Sequence, residues 1–365
     1  MNQSTTLLRY LSRQFTTSFL IWITVLLTMI YLINSLELIR RAANRPEVTF
    51  TQIAQMSLFQ LPQVGQQLFQ FAVLFSALYT FWRLTRTSEL VVLRAVGISA
   101  WQFLLPIVLA ASVIGIVKVT VINHFGSFLS QRYEDMDNAL FRGKTNAIDL
   151  LAGGLWLRQG SGGDGYTIIH ARSVDTSTWQ LKDVSLFFMS NDDDLTARVD
   201  APDAALNGTV WEVHHGWLNK LNQPKSLIEK LTLPTDITPE KIEDSVRSAS
   251  SLSFWDIPHY IQTMEATGFS SVRLRLQYLA LLADPFLFAG LVLIAAAAAL
   301  RQTRRGGTLI VISIGIVAAF ALFFLDDIVH ALGVSETIPL ALAAWTPAGL
   351  SLLGGVAALL YLEDG

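Results

Sequence analysis

The chain of 365 residues contains no cysteine, and only 15% of its residues are charged. Without cysteine there is no disulfide framework, no thiolate metal site and no cysteine nucleophile. Soluble domains usually carry about 25% charged residues, so much of this chain avoids water. Side chains arranged for chemistry are equally scarce. Gly143-Lys144-Thr145 resembles the end of a phosphate loop, but Asn138 stands where the first glycine belongs and no apolar strand leads into it. Gly160, Gly162 and Gly165 have a dinucleotide-binding spacing, yet they fall in an expected hairpin loop and open no helix. His214 and His215 are adjacent, so in a strand they point to opposite faces and cannot chelate one metal together. Asp192-Asp193-Asp194 reads as a solvated turn, and Asn207-Gly208-Thr209 is a formal glycosylation sequon. No enzyme activity, metal or cofactor is expected of this chain.

What the chain has in abundance is long apolar runs. Six segments approach the roughly 20 apolar residues that a spanning helix needs: Phe15–Leu36, Met56–Trp82, Trp101–Phe125, Tyr278–Leu300, Leu309–Leu332 and Ile338–Leu362. Three lie before a polar stretch of about 145 residues and three after it. The fold class expected is a membrane α-helical bundle of six transmembrane helices, arranged 3+3, with an inserted all-β, jellyroll-like domain. The domains are then 1–127, 128–272 and 273–365. The first apolar run is too long for a cleaved signal peptide and lacks a small-residue cleavage site before Arg40. It reads as a retained helix.

Arginines in short loops set the orientation. Arg9 and Arg13 precede the first helix, Arg83, Arg86 and Arg94 follow the second, and Arg301, Arg304 and Arg305 follow the fourth. All fall on one side of an alternating bundle, which is then cytoplasmic together with both termini. The insert lies outside. Net charge is −3 overall, but Phe128–Val272 holds 12 basic and 20 acidic residues. An acidic domain of that kind makes a poor nucleic-acid binder.

Arg40, Arg41 and Arg45 break the orientation rule just beyond the outer end of the first helix. Snorkelling at the interface is the plain explanation. An anion site is the sharper one, since Glu37, Arg40 and Arg41 share a helical face. Other polar groups cluster toward the same end. Lys118 lies about 26 Å along the third helix, with Gln63, Gln66, Gln67 and Gln70 in the second, Arg273 and Arg275 ahead of the fourth, and Asp326, Asp327 and His330 in the fifth. Charges inside a bilayer usually face a bundle interior or a wet cavity. The pattern suggests a cavity polar near the outer leaflet and apolar below it, suited to an amphiphile with an anionic head. Asp284 stands apart, deeper in the fourth helix and before Pro285. It is either an ion site or a packed carboxyl.

Residues of about 85–99 read as a short amphipathic helix on the cytoplasmic side. Thr85, Thr87 or Ser88 can cap its start, Glu89 suits its dipole and Gly97 stops it, while Leu90 and Leu93 share a face with Gly97. It lies in the lipid interface or is held out to a partner. In the insert, Tyr166–Ser173, Asp183–Ser190, Leu195–Leu206 and Gly208–His215 are candidate strands, with Trp211, Val213 and His215 on one face. Their spacing suggests a sandwich or jelly roll. Phe254–Thr267 reads as an amphipathic helix leading to the fourth span.

Several of these segments, in order, resemble the LptF/LptG permeases of the lipopolysaccharide exporter, with the LptG type the nearer. They are Glu37-Leu38-Ile39-Arg40-Arg41-Ala42, the loop Ser88–Ser99, Ala201–Trp211, Phe324-Leu325-Asp326, Ala343-Ala344-Trp345-Thr346-Pro347 and the terminal Glu363-Asp364-Gly365. The resemblance covers essentially the whole chain. It implies an inner-membrane permease subunit that extracts lipopolysaccharide from the periplasmic leaflet and passes it to a periplasmic bridge protein of jellyroll fold. It also implies a second, LptF-type permease and a cytoplasmic ABC ATPase dimer that binds the ATP. By the same resemblance Asn34, Glu37, Arg40 and Arg41 contact the lipid, although Asn34 stands where some relatives carry lysine and Gln70 replaces a proline. Arg86, Ser88, Glu89, Leu90, Leu93, Arg94 and Gly97 would form the coupling helix that docks on the ATPase. Two other functions fit the layout less fully: a non-transporting scaffold whose β-domain binds envelope proteins, and an ion-driven carrier using Asp284.

Overall fold

The structure, a computed structural model, describes residues 2–43, 48–97, 99–137, 140–141, 147–151, 154–160, 165–175, 178–190, 194–220, 223–235, 238, 252–266, 270–300 and 308–363. Arg45, the Gly143-Lys144-Thr145 segment, Gly162, Asp192, Asp193, Arg301, Arg304, Arg305, Thr267 and the last two residues lie outside them. The chain divides into two compact units. Met1–Tyr133, Ser253–Trp255 and Arg275–Gly365 form one, and Glu134–Leu252 with Asp256–Leu274 form the other.

The first unit is helical. Its elements are α1 (Asn2–Ala42), α2 (Phe50–Gly65), a 3-10 turn (Gln66–Leu68), α3 (Phe69–Arg86), α4 (Glu89–Ala95), α5 (Ala100–Val117), a π turn (Lys118–Ile122) and α6 (Asn123–Asp137). α7 (Ile257–Ala266) belongs to the second unit; α8 (Val272–Leu300), α9 (Thr308–Val334) and α10 (Leu340–Glu363) complete the helices. Among the described residues, Thr6–Ala42, Phe50–Arg86, Ala100–Asp137, Val272–Ala299 and Leu340–Tyr361 are long and apolar enough to cross a membrane. α9, a helix of 27 residues, occupies the place of the remaining apolar segment. The second span begins ahead of the apolar run because a capping box starts it. The Thr49 hydroxyl accepts from the Gln52 N–H, and the Gln52 side chain accepts from the Thr49 N–H.

Phe15 and Phe19 of α1, Val73, Ala77 and Phe81 of α3, Phe103 and Ile107 of α5, and Phe288 and Val292 of α8 share one core. α8 thus joins the two halves of the sequence. Lipid is as apolar as leucine, so close approach rather than hydrophobicity holds such helices together. Gly115 shows the closeness: a Cβ there would sit 2.7 Å from Pro285 Cα. The outward side of α1 is apolar and exposed at Leu20, Ile21, Val25, Met29, Leu32 and Leu36. Its hydroxyls bond back to the helix, Thr24 to Leu20 O at 2.7 Å and Thr28 to Thr24 O at 2.8 Å, as hydroxyls do in a helix with no water to meet.

The second unit is built on a seven-stranded antiparallel sheet: β1 (Ala147–Leu151), β2 (Gly154–Gly160), β3 (Tyr166–Asp175), β4 (Gln180–Met189), β5 (Leu195–Asn207), β6 (Val210–Lys220) and β7 (Ser226–Pro234). Strand order follows chain order, which makes the sheet a meander. The Greek-key crossovers of a jelly roll do not occur among the described strands.

The all-β insert is as expected, but alternation along its strands slips at one level. Buried positions run Ala171 to Val174 in β3, Leu181 to Val184 in β4, Ala201 to Ala204 in β5 and Val213 to Gly216 in β6. Each step is three residues instead of two, while the pairing register is kept. Asp183 and His215 reach it with φ of 52° and 54°. This corrects the expectation that His215 shares a face with Trp211 and Val213: those two are buried and His215 is exposed. The sheet is creased along this line and curls on itself, since Gln159 of β2 donates to Pro234 O of β7 at 3.4 Å across strands that are not neighbours.

Candidate functional site

Most of the intramembrane polar residues singled out from sequence converge on one cavity of about 190 Å³ in the helical unit, while Gln63 and His330 are not among those that line it. Gln66, Gln67 and Gln70 come to it from the second span, Lys118 from the third, Asp284 from α8, and Asp326 and Asp327 from α9. Phe288, Phe323 and Pro347 supply apolar wall. The exception in depth, Asp284, is therefore part of the group. Lys118 Nζ donates to Asp284 Oδ2 at 2.6 Å, an ion pair whose side chains are 10% and 14% exposed. The same ammonium lies 5.6 Å from the centre of the Phe288 ring, within cation–π range. Intramembrane charges need partners of this kind, but nothing local in sequence ties residues 166 apart.

Around the cavity the glutamines are anchored. Gln66 Oε1 accepts from Asn123 Nδ2 at 3.0 Å, and Asn123 Oδ1 accepts from the Phe254 N–H at 2.6 Å. Gln63 Oε1 accepts from the Ser130 hydroxyl at 2.8 Å. The indole of Trp255 donates to Thr120 O, a carbonyl inside the π turn, at 3.2 Å. The segment returning from the insert thus ties down the irregular part of the third span.

At the end of α1, the expected lipid residues stand on one stretch of helix but are not equivalent. Arg41 is paired with Glu37 one turn back. Arg40 is exposed and makes no ion pair among the described residues. Asn34 is half-buried, and its Nδ2 has no hydrogen-bond partner among the described residues. The free positive charge here is therefore centred on Arg40.

The short helix expected at about 85–99 is α4. Leu90 is buried in the main core and Leu93 packs against it. Val92 and Val96 point away, 60% and 72% exposed. Glu89 is held from two sides: the Thr87 hydroxyl donates to its Oε1 at 2.9 Å and the Tyr10 hydroxyl to its Oε2 at 3.1 Å. Thr87 thus binds the Glu89 side chain rather than capping a helix amide. Ser88 turns the chain at φ 59° and its carbonyl accepts from the Val92 N–H. Gly97 ends the element at φ 84°, a conformation that favours glycine. Arg86 lies over the Trp82 ring at 5.3 Å. Arg94 belongs to α4, and its side chain lies outside the description. The Tyr10 contact had no sequence signal beyond the interfacial position of that residue.

The arrangement is a membrane-embedded polar cavity, a basic helix end and a short helix carrying an exposed apolar face. No group of three histidine, aspartate or glutamate side chains placed to hold a metal occurs among the described residues. The model of the lipopolysaccharide export system permease LptF/LptG family matches residues 9–361. Lipopolysaccharide export system permease protein LptG of Haemophilus influenzae is 23% identical over 297 residues, which cover 79% of each chain. The match runs through both sets of helices and the insert between them, so the chain belongs to the lipopolysaccharide export system permease LptF/LptG family, with a leaning toward LptG.

Proposed function

We propose that this inner-membrane permease takes lipopolysaccharide from the periplasmic leaflet and hands it to a periplasmic bridge protein of related β fold. It does so beside a second, LptF-type permease, on a cytoplasmic ABC ATPase dimer that supplies the energy. Both termini are cytoplasmic and the insert is periplasmic. The observation that carries this reading is the build of α4. A seven-residue helix rooted in the core by Leu90 and Leu93, yet displaying Val92 outward with the exposed Val96 just beyond its end, is suited to receive a push from a soluble partner and deliver it to the bundle. Leu90, Leu93 and Glu89 are its roots, Ser88 and Gly97 its bends, and Arg86 and Arg94 its flanking charges. An ABC permease without an ATP-binding motif depends on such a contact.

Glu89→Lys removes both acceptor bonds of Glu89 and sets a positive charge beside Arg83 and Arg86 at the end of α3. It is expected to leave ATP hydrolysis running while export falls about tenfold or more. Tyr10→Phe, which removes one of the two bonds, is expected to have a smaller effect. Export and hydrolysis measured on the same reconstituted complex decide it, and normal export from Glu89→Lys counts against the coupling role.

Arg40 is the principal contact for an anionic head group, because Glu37 already neutralises Arg41. A charge-assisted hydrogen bond is worth about 1.5–3 kcal/mol. Arg40→Glu is therefore expected to weaken photocrosslinking to lipopolysaccharide about tenfold or more, and Arg41→Glu much less. Equal crosslinking by Arg40→Glu and the unsubstituted protein would remove the head-group assignment.

A further inference from the structure

Two spans depart from α-helix where they line the cavity, and two more carry a proline there. The second breaks into the 3-10 turn Gln66–Leu68, the third into the π turn that starts at Lys118, α8 has Pro285 next to Asp284, and α10 contributes Pro347. π turns inside α-helices mark functional sites more often than chance, and proline removes a helix hydrogen bond. Breaks at membrane depth are tolerated where they line a cavity. Two turns and two prolines thus meet around one ion pair.

The charge count there is unequal. Lys118 is the one cation among the cavity-lining residues, facing Asp284, Asp326 and Asp327. Asp284 holds it now. Asp326, on a different helix, makes no hydrogen bond or ion pair among the described residues, and it lines the same cavity as Lys118 and Asp284. Moving Lys118 from one carboxylate to the other would leave one pair made and one carboxylate unpaired, as before. Two arrangements with the same number of pairs give a two-state element its two seats.

We propose that Lys118 is a latch with two seats, Asp284 on α8 in the conformation seen here and Asp326 on α9 in a second conformation of the transport cycle. The π turn in the third span and Pro285 in α8 let the two helices separate as the latch changes hands. The proposal rests on the export reading, and ATP-driven export by the unsubstituted complex tests that reading by itself, so the two failures are distinguishable.

The decisive variant is Asp326→Asn, assayed in the assembled transporter. It is close in shape and touches no part of the present ion pair, so folded yield and thermal stability should match the unsubstituted protein. Export should nonetheless fall about tenfold or more, because one of two required states loses its partner, and Asp326→Glu should restore most of it. Asp284→Asn should lower both export and stability, since it breaks the pair that is formed. Export at the unsubstituted rate by Asp326→Asn overturns the latch. So does an Asp326→Glu variant no better than Asp326→Asn, or a loss of stability in Asp326→Asn equal to that in Asp284→Asn.

Discussion

Asp284→Leu alone is expected to destabilise the helical unit by about 3–5 kcal/mol, the range for breaking a buried ion pair by removing one partner. Lys118 would be left charged and 8% exposed in the conformation seen here, with the Phe288 ring beside it and no carboxylate paired to it. The double variant Lys118→Met with Asp284→Leu removes both charges at similar volume and is expected to recover most of the lost stability. Thermal unfolding of the purified variants measures this directly. If the double variant is as unstable as the sum of the singles, the pair is not a mutually compensating unit. Stability recovered without export would be consistent with the pair serving movement more than folding.

The second large effect lies in the insert. Trp211 is 1% exposed and among the largest fully buried side chains, and its cross-strand neighbours are Leu206 and Leu233. Trp211→Ala opens a cavity and is expected to cost about 3–5 kcal/mol, a large share of the roughly 5–15 kcal/mol that holds a domain folded. Trp211→Phe should be tolerated far better. It keeps most of the ring volume, and the indole N–H it discards has no hydrogen-bond partner among the described residues. Protease resistance of the insert within the full chain separates the outcomes. A resistant Trp211→Ala insert would mean that the curled sheet is held chiefly by its hydrogen-bonded ladder.

The helices were legible because hydropathy is summed over whole spans, and one lysine or aspartate in 20 residues does not hide a span. Four strands were legible because Tyr166–Asp175, Gln180–Met189, Leu195–Asn207 and Val210–Lys220 carry long alternating runs. β1 and β2 were missed because they are short and set among glycines at 153, 154 and 160. β7 was missed because half-buried positions alternate with exposed ones and its fully buried positions are absent. The shared crease could not be read either. A strand that slips its alternation looks like a weaker strand until its neighbours slip at the same level.

The candidate site was legible in kind but not in connection. Sequence marked Lys118, Asp284, Asp326 and the glutamines as costly groups for a bilayer. Which carboxylate holds Lys118 depends on α8 crossing the third span at Gly115 and Pro285, a contact between distant segments. Arg40 and Arg41 read as equals, and only the side-chain direction of Glu37 distinguishes them. Glu89 read as a dipole partner at a helix start, whereas its strongest ties run to Thr87 and to Tyr10 of α1.

The most direct test of the export reading is to purify the chain from its native membrane under mild conditions and identify what accompanies it by mass spectrometry. Recovery of a cytoplasmic ABC ATPase, a second six-helix permease and lipopolysaccharide is the expected result. Recovery of the chain alone, or with envelope proteins but neither the ATPase nor lipopolysaccharide, would contradict it.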